Sequence, residues 1–302
     1  MKFADAFAIA LRKYGRFIPD EPYIKIQYKL ALGAIPNLRA PESFNEKLQW
    51  LKLHDRNPEY ILLVDKINVK KWIAERIGAN YVPATYAVWD GVGEITLSGL
   101  PNKFVIKTNH DCGGVVVCNH SDNFDLDSAK SIIDRHLKRN YFWGCREWPY
   151  KHVKPKVFAE ELLLPSNGDC SLSDYKFFCF DGDVDCVMVC TERETGNPKF
   201  LFFDDEWNLL PYNLRSASYA GETACFKPQS LNDMWEIAKT LSKGFPFLRV
   251  DMYSTRKGIV VGELTLYPQG GFDPNILPGA NERWGRKIDL GKSFSSETRE
   301  EK

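Results

Sequence analysis

The chain has 302 residues, 44% hydrophobic and 26% charged, with Lys plus Arg and Asp plus Glu balanced at 40 each. That length can bury a substantial core, and the balanced charge lacks the polybasic character of a chain that binds nucleic acid. No run approaches the roughly 18 apolar residues of a membrane span, and eight cysteines without a C-x-x-C pair point away from a zinc site and toward a reducing, cytoplasmic compartment.

The opening MKFADAFAIALRKYGRF carries Asp5 inside its apolar run and reads as a short amphipathic helix rather than a signal peptide. Its Phe3, Phe7, Leu11 and Phe17 either pack on the body or make a peripheral membrane contact. Residues 1–60 are expected to be helical, punctuated by Pro19, Pro22, Pro36, Pro41 and Pro58. Ser43 to Glu46 is a capping-box pattern opening a helix that carries Leu48, Leu51 and Leu53. The region packs on the body or builds part of an acceptor site.

A better-marked helix is predicted over Asp65–Ile77, capped by Asp65 and stopped at Gly78. Lys66 falls in its first turn, where a cation opposes the helix dipole unless an anion is near; the alternative is an exposed surface lysine. Strands are expected at Tyr81–Val88 and Lys103–Lys107. KFVIKTNHDCGGVVVC then reads as strand, glycine turn and strand, with Lys107 at the strand end and Gly113 and Gly114 able to form an anion-holding nest of amides. His110 either touches an anion there or is structural, and Cys112 is a reactive thiol or a small turn residue.

Asp127–Arg139 has helical periodicity, and Tyr141–Lys156 is an aromatic, basic stretch suited to a lid or a packed connector. Val157–Leu164 is an apolar run whose Glu160 and Glu161 take the backbone toward something polar. Strands follow at Asp174–Phe180, Asp183–Cys190 and Lys199–Phe203. Lys176, among aromatic neighbours, snorkels to solvent or faces an anion. Asp183-Val184-Asp185 has the D-x-D form that holds manganese and a nucleotide sugar, or it is simply a hairpin entry after Asp181-Gly182. A helix over Ser230–Lys243, capped by Ser230 with Asp233, leads into a hairpin.

That hairpin pairs Phe247–Tyr253 with Ile259–Leu266 across a five-residue turn, Ser254 to Gly258. Arg249 and Asp251 share one face with Glu263 and Thr265, and this register sets Arg249 opposite Glu263, with Asp251 diagonal to it. Two carboxylates about 6 Å apart repel by roughly 3 kcal/mol at an effective dielectric near 20 and require a cation. Arg249 supplies it in an ion-pair cluster; bound magnesium is the alternative. A loop-rich close follows Pro268, and residues 293–302 are expected to be a disordered tail.

In order, DKINVKKWIAERIG, LPNKFVIKTNHDCGG, KPKVFAEELL, DYKFFCFDGDV, FPFLRVDMY and GELTLYPQGG resemble the motifs of the ATP-grasp superfamily, closely its TupA-like branch, over roughly Phe44 to Gly291. The resemblance implies an α+β ATP-grasp fold, two α+β lobes clamping ATP behind a helical N-terminal extension. The expected division is an N-terminal region over 1–60, a lobe over 61–160, a second lobe over 161–292 and a tail over 293–302. Lys66 and Lys107 match phosphate-contacting lysines, and His110 to Gly114 match the flap. Glu160, Glu161, Leu162 and Leu163 match the interlobe segment whose backbone holds adenine. Asp251 and Glu263 match Mg2+ ligands, with Thr265 standing where many relatives place asparagine. Arg249, with Lys107 and Lys176, falls among the catalytic groups.

The implied activity is ADP-forming carboxylate–amine ligation through an acylphosphate in bacterial surface-polysaccharide (capsule) biosynthesis. It would use ATP, Mg2+, a small-molecule or glycan carboxylate such as a uronic acid or an amino acid, and an amine donor. A glycosyltransferase and an ATP-grasp kinase are the rival readings.

Overall fold

A computed structural model describes residues 11–12, 14–166, 172–191, 199–214 and 227–292. The start of the expected amphipathic helix, with Phe3 and Phe7, and the expected tail lie outside the described residues. Among the described residues no helix is long and apolar enough to cross a membrane.

Two antiparallel sheets organise the chain. The first has the order β1-β4-β2-β3, from Thr85–Trp89, Val157–Glu161, Phe104–Thr108 and Val115–Cys118. Strand β1 begins later than the predicted Tyr81, because Ala79–Tyr81 forms a 3-10 turn ahead of Pro83. One face of this sheet carries Trp89, Phe104, Ile106, Val157 and Ala159 and packs on Ile133 of helix α5 (Leu126–Leu137). The opposite face carries Val88, Phe158, Lys107 and Val115 in one row, with Glu160, Val105 and Val117 in the next. Val88, Val115 and Val117 on that face are each more than 40% exposed.

The second sheet has the order β10-β9-β5-β6-β7-β8, from Gly258–Thr265, Leu248–Thr255, Asp174–Phe180, Asp183–Thr191, Lys199–Phe203 and Leu209–Leu210. Helix α7 (Leu231–Ser242) covers one face through Leu231, Met234, Ala238 and Leu241. Ser230 precedes it without making the expected side-chain cap.

The helices before the first sheet are α1 (Asp20–Leu32), α2 (Phe44–His54), α3 (Glu59–Val64) and α4 (Asn68–Ile77). Ser43 and Glu46 close the predicted capping box on α2. That box aims Phe44 into the core of the second sheet, 4.9 Å from Phe247 and 5.2 Å from Trp284 between ring centroids. Trp284 lies on α8 (Pro278–Lys287), a helix where only loop was expected, after the short α6 (Phe142–Cys145) of the aromatic connector. Its sequence is polar and carries two glycines, so periodicity hides it. Packing explains one of them: a Cβ at Gly285 would stand 2.1 Å from the Glu42 carbonyl, so α8 meets the start of α2 only with glycine there.

The β9–β10 hairpin differs from the expected register. Its strands run on to Thr255 and Gly258, leaving a two-residue turn at Arg256-Lys257, with Gly258 at a φ of 102°. A bulge at Gly262 then shifts the pairing by one, so Glu263 lies directly opposite Asp251 and Thr265 opposite Arg249. A Cβ at Gly262 would come within 2.4 Å of the Tyr253 ring, which is why the bulge is a glycine.

Candidate active site

Register places one row of side chains across the second sheet: Glu263, Asp251, Lys176, Met188 and Phe202. Thr265, Arg249 and Phe178 form the adjacent row. Asp251 is 1% exposed and both of its oxygens are engaged. Arg249 Nε donates to Oδ1 and Nη2 to Oδ2, each at 2.7 Å, and Lys176 Nζ donates to Oδ2. Lys176 also reaches Asp174 at 2.7 Å, and Arg249 Nη2 donates to the Thr265 hydroxyl at 3.0 Å.

Burial alone would raise the pKa of Asp251; Arg249 and then Lys176 reverse this and hold the carboxyl below its usual range. Burial likewise opposes the charge on Arg249, but Asp251 more than offsets it and the pKa is raised. The ion-pair cluster anticipated around Arg249 is present, with Lys176 and Asp174 as additional members. The Glu263 side chain makes no hydrogen bond or ion pair among the described residues.

The hard-oxygen donor set of Glu263, Asp251 and Thr265 suits magnesium in kind. No group of three His, Cys, Asp or Glu among the described residues could hold a metal alone, so phosphate oxygens and water would have to complete the shell. Asp251 would have to share an oxygen that its cations now hold.

On the face of the first sheet that carries Lys107, Glu160 is buried between two lysines. Lys107 Nζ lies 2.5 Å from Oε1 and Lys70 Nζ 2.6 Å from Oε2. Burial pushes the Glu160 pKa up, but Lys107 and Lys70 together bring it below the usual value. Lys70, four residues beyond Lys66 in the DKINVKK motif, was not singled out in the sequence. It lies in the first turn of α4 and meets Lys107 only through Glu160, a partner distant in sequence.

Lys66 lies just ahead of α4 rather than in its first turn, since Asp65 accepts from the Ile67 and Asn68 amides. It braces the glycine loop instead: its amide donates to the Asn109 carbonyl at 3.0 Å and its Nζ to the Asp111 carbonyl. Within that loop His110 is 1% exposed and its Nε2 meets the Arg139 carbonyl at 2.9 Å, a structural placement. Asp111 joins His136 of α5 and accepts from the Cys112 amide. Gly113 has φ 99°, and a Cβ at Gly114 would meet Thr108 Oγ1 at 2.3 Å. Cys112 at the exposed tip has its pKa raised first by partial burial and then by the charge of Glu263.

Between the lobes, Glu161 donates its amide to Ala84 at 2.9 Å and its carboxylate meets Lys257 at 2.5 Å. Pro165 bridges to Thr255, and Leu164 accepts from the Arg256 amide at 3.3 Å. Leu162 and Leu163 line a cavity of about 180 Å³ against this turn. A larger cleft of about 570 Å³ opens beside it, lined by Lys70, Thr85, Glu161, Lys257 and Val260. Beyond Arg249, at the other end of the hairpin, a partly open pocket of about 150 Å³ lies under residues 268–276.

The D-x-D aspartates are elsewhere and occupied. Asp185 has a fully buried side chain and accepts from Arg283 Nε and Trp284 Nε1, both at 2.8 Å. Asp183 pairs with Lys287 at 2.6 Å. They fasten α8 to β6, the hairpin-entry alternative.

Comparison with known families matches residues 46–288 to the family described as TupA-like ATPgrasp. No curated protein matches. Solved structures it is similar to include D-alanine–D-alanine ligase from Bacillus anthracis complexed with ATP, at 16% identity and TM-score 0.42, over 75% of this chain and 65% of that one. The ATP-grasp ligase PsnB complexed with a phosphomimetic variant of its minimal precursor, Mg and ADP is similar at 9% identity and TM-score 0.41, over 82% and 66%. D-cycloserine synthetase DcsG is similar at 13% identity and TM-score 0.44, over 76% and 71%. The chain thus spans just under two thirds of the length of the first two.

Proposed function

Since the chain belongs to the TupA-like ATP-grasp family, we propose that it is an ADP-forming carboxylate–amine ligase whose substrates lie along the β9–β10 hairpin. The observation that carries this reading is the order of groups along that hairpin: interlobe segment, then Glu263 with Asp251, then Arg249 with Thr265, then the pocket under residues 268–276.

The base of ATP would sit where Glu161 to Leu163 meet the Arg256-Lys257 turn. Its phosphates would lie between the Lys107 face of the first sheet and Glu263. Lys107 and Lys70 supply two positive charges there, and the triphosphate would compete with Glu160 for them. Lys66 and Asp111, tied to His136, hold the glycine loop, the expected phosphate flap, over the same space. Glu263, Asp251 and Thr265 would hold magnesium, which when bound neutralises triphosphate charge.

A substrate carboxylate oxygen attacks the γ-phosphorus as the bond to the ADP oxygen breaks, giving an acylphosphate. The amine nitrogen then attacks the acyl carbon, phosphate leaves with the C–O electron pair, and the nitrogen loses its proton to solvent. Arg249, with Nε and Nη2 fixed by Asp251, points fixed positive charge at the oxygens on which charge develops.

The natural setting we propose is surface-polysaccharide synthesis, with a glycan or small-molecule acid as one partner. Mass spectrometry of products from a panel of acids and amines with Mg-ATP tests it. The ligase forms ADP, phosphate and an amide, and turnover needs both partners. A phosphorylated acid accumulating regardless of amine would make the protein a kinase. Stabilisation by a uridine diphosphate sugar but not by Mg-ATP would end the ligase reading.

A further inference from the structure

The pocket beyond Arg249 has features that the nucleotide does not account for. Its floor is apolar, made by Phe178, Met188 and Phe202 on the sheet face that carries Arg249, and its roof is the segment from Pro268 to Ile276. The roof begins with three consecutive left-handed residues, Gln269, Gly270 and Gly271. Helix α2 holds them: Gln49 Nε2 donates to the Gly271 carbonyl at 2.6 Å, and the buried Lys52 donates to the Gly270 carbonyl at 2.8 Å. A Cβ at Gly271 would stand 2.4 Å from Gln49 Nε2, so the turn and the helix fit only in this form. This is a built cavity rather than a gap between loops.

Its two charges are complementary to a ligand rather than to each other. Arg249 uses Nε and Nη2 on Asp251 and Thr265, and its Nη1 has no partner among the described residues. Asp273, which also lines the pocket, accepts from the Asn275 amide at 2.9 Å and side chain at 3.1 Å through Oδ1, and meets no cation among the described residues. At about 150 Å³ the pocket has room for a molecule the size of a small amino acid. A uronic acid would satisfy Arg249 but bring no cation for Asp273.

We propose that this pocket is the subsite for the acid to be activated and that it takes a small zwitterionic α-amino acid, carboxylate toward Arg249 and ammonium toward Asp273. The assignment rests on the ligase reading for the fate of the carboxylate, but binding can be measured without turnover.

Calorimetric titration of the full chain, with and without a non-hydrolysable ATP analogue and magnesium, uses glycine, alanine and serine of both hands, N-acetylalanine and glucuronic acid. At least one free amino acid should bind, and N-acetylation should weaken it more than about tenfold. Asp273→Asn, which keeps an acceptor for Asn275, should weaken the free amino acid by a similar factor while leaving the nucleotide affinity unchanged. Filling the floor with Met188→Trp should abolish amino-acid binding. The proposal is overturned if N-acetylalanine or glucuronic acid binds as tightly as the free amino acid, if Asp273→Asn leaves that affinity unchanged, or if none of the amino acids binds. If none binds while the nucleotide does, the ligase reading stands without this subsite. If the nucleotide fails to bind, the ligase reading falls, and amino-acid binding still decides the pocket.

Discussion

Lys107 Nζ lies 2.5 Å from Glu160 Oε1, and the other oxygen of that carboxylate holds Lys70 at 2.6 Å. Two cations thus share one buried anion on a sheet face whose Val88, Val115 and Val117 are exposed, an arrangement a polyphosphate can take over. Glu160→Gln should destabilise the protein by about 2 to 4 kcal/mol, since two lysines lose their counterion. Mg-ATP should then raise the Tm of this variant by more than it raises that of the wild type. An equal or smaller shift, by scanning calorimetry with and without nucleotide, would show that phosphates do not meet these lysines. The Glu160 carboxyl titrates below its ordinary value when folded. Its stabilisation is therefore present above the unfolded pKa of about 4.3 and lost as pH falls through the lower folded value.

Turnover should separate the groups around the triphosphate. Lys107→Ala and Glu263→Ala should each lower ADP release by more than about 100-fold, the size of losing one charged contact to the transferring group. Cys112→Ser should leave most of it. Lys66→Ala should raise the KM for ATP with a smaller fall in kcat, because Lys66 holds the loop through the Asp111 carbonyl. Coupled ADP assays on purified variants check this ordering, and equal activity in all four would refute the site.

Local chemistry was legible in the sequence. Ser43 and Glu46 announced the start of α2, Gly113-Gly114 the loop, and the alternation along β9 and β10 correctly put Arg249, Asp251, Glu263 and Thr265 on one face. What escaped depended on long-range packing. The register at Glu263 is set by a bulge where Gly262 makes room for the Tyr253 ring, a contact with no local signature. Helix α8 forms because Trp284 has a core to enter and Asp185 a cation to meet, both distant in sequence. Lys70 gains its meaning from Glu160, ninety residues later.

Cys112 at the loop tip gives a readout of the Glu263 charge that needs no activity. Burial first, and then the charge of Glu263, raise the Cys112 pKa. Residue-resolved alkylation with iodoacetamide should therefore show Cys112 reacting slowly at pH 8 for a thiol at an exposed tip. Glu263→Gln should speed it by about two- to fivefold by removing the nearby anion. No change in the Cys112 rate would mean that the loop does not approach the second sheet in solution.

Helix α2 places a lysine where few proteins tolerate one. Lys52 is 1% exposed, donates to the Cys145 and Gly270 carbonyls at 2.8 Å each, and sits 4.2 Å over the Phe272 ring. Burial pushes its pKa down to about 8, against partial support from Cys145 and Glu147. Glu147, also buried, is pushed up to about 7, chiefly by burial. The two shifts act on stability in opposite directions. Glu147 holds its proton in the native state, so its contribution is full below the unfolded pKa of about 4.3 and is lost as pH rises through 7. Lys52 contributes above the unfolded pKa of about 10.4, and that contribution is lost as pH falls through 8. Unfolding free energy from urea titrations should therefore fall from pH 5 to a minimum between 7 and 8, then recover by pH 10. Each limb should be on the order of 3 kcal/mol. Lys52→Met should flatten the alkaline recovery and Glu147→Gln the acid-side decline, each leaving the other limb in place. A wild-type profile with no minimum would mean that these two groups do not titrate inside the fold.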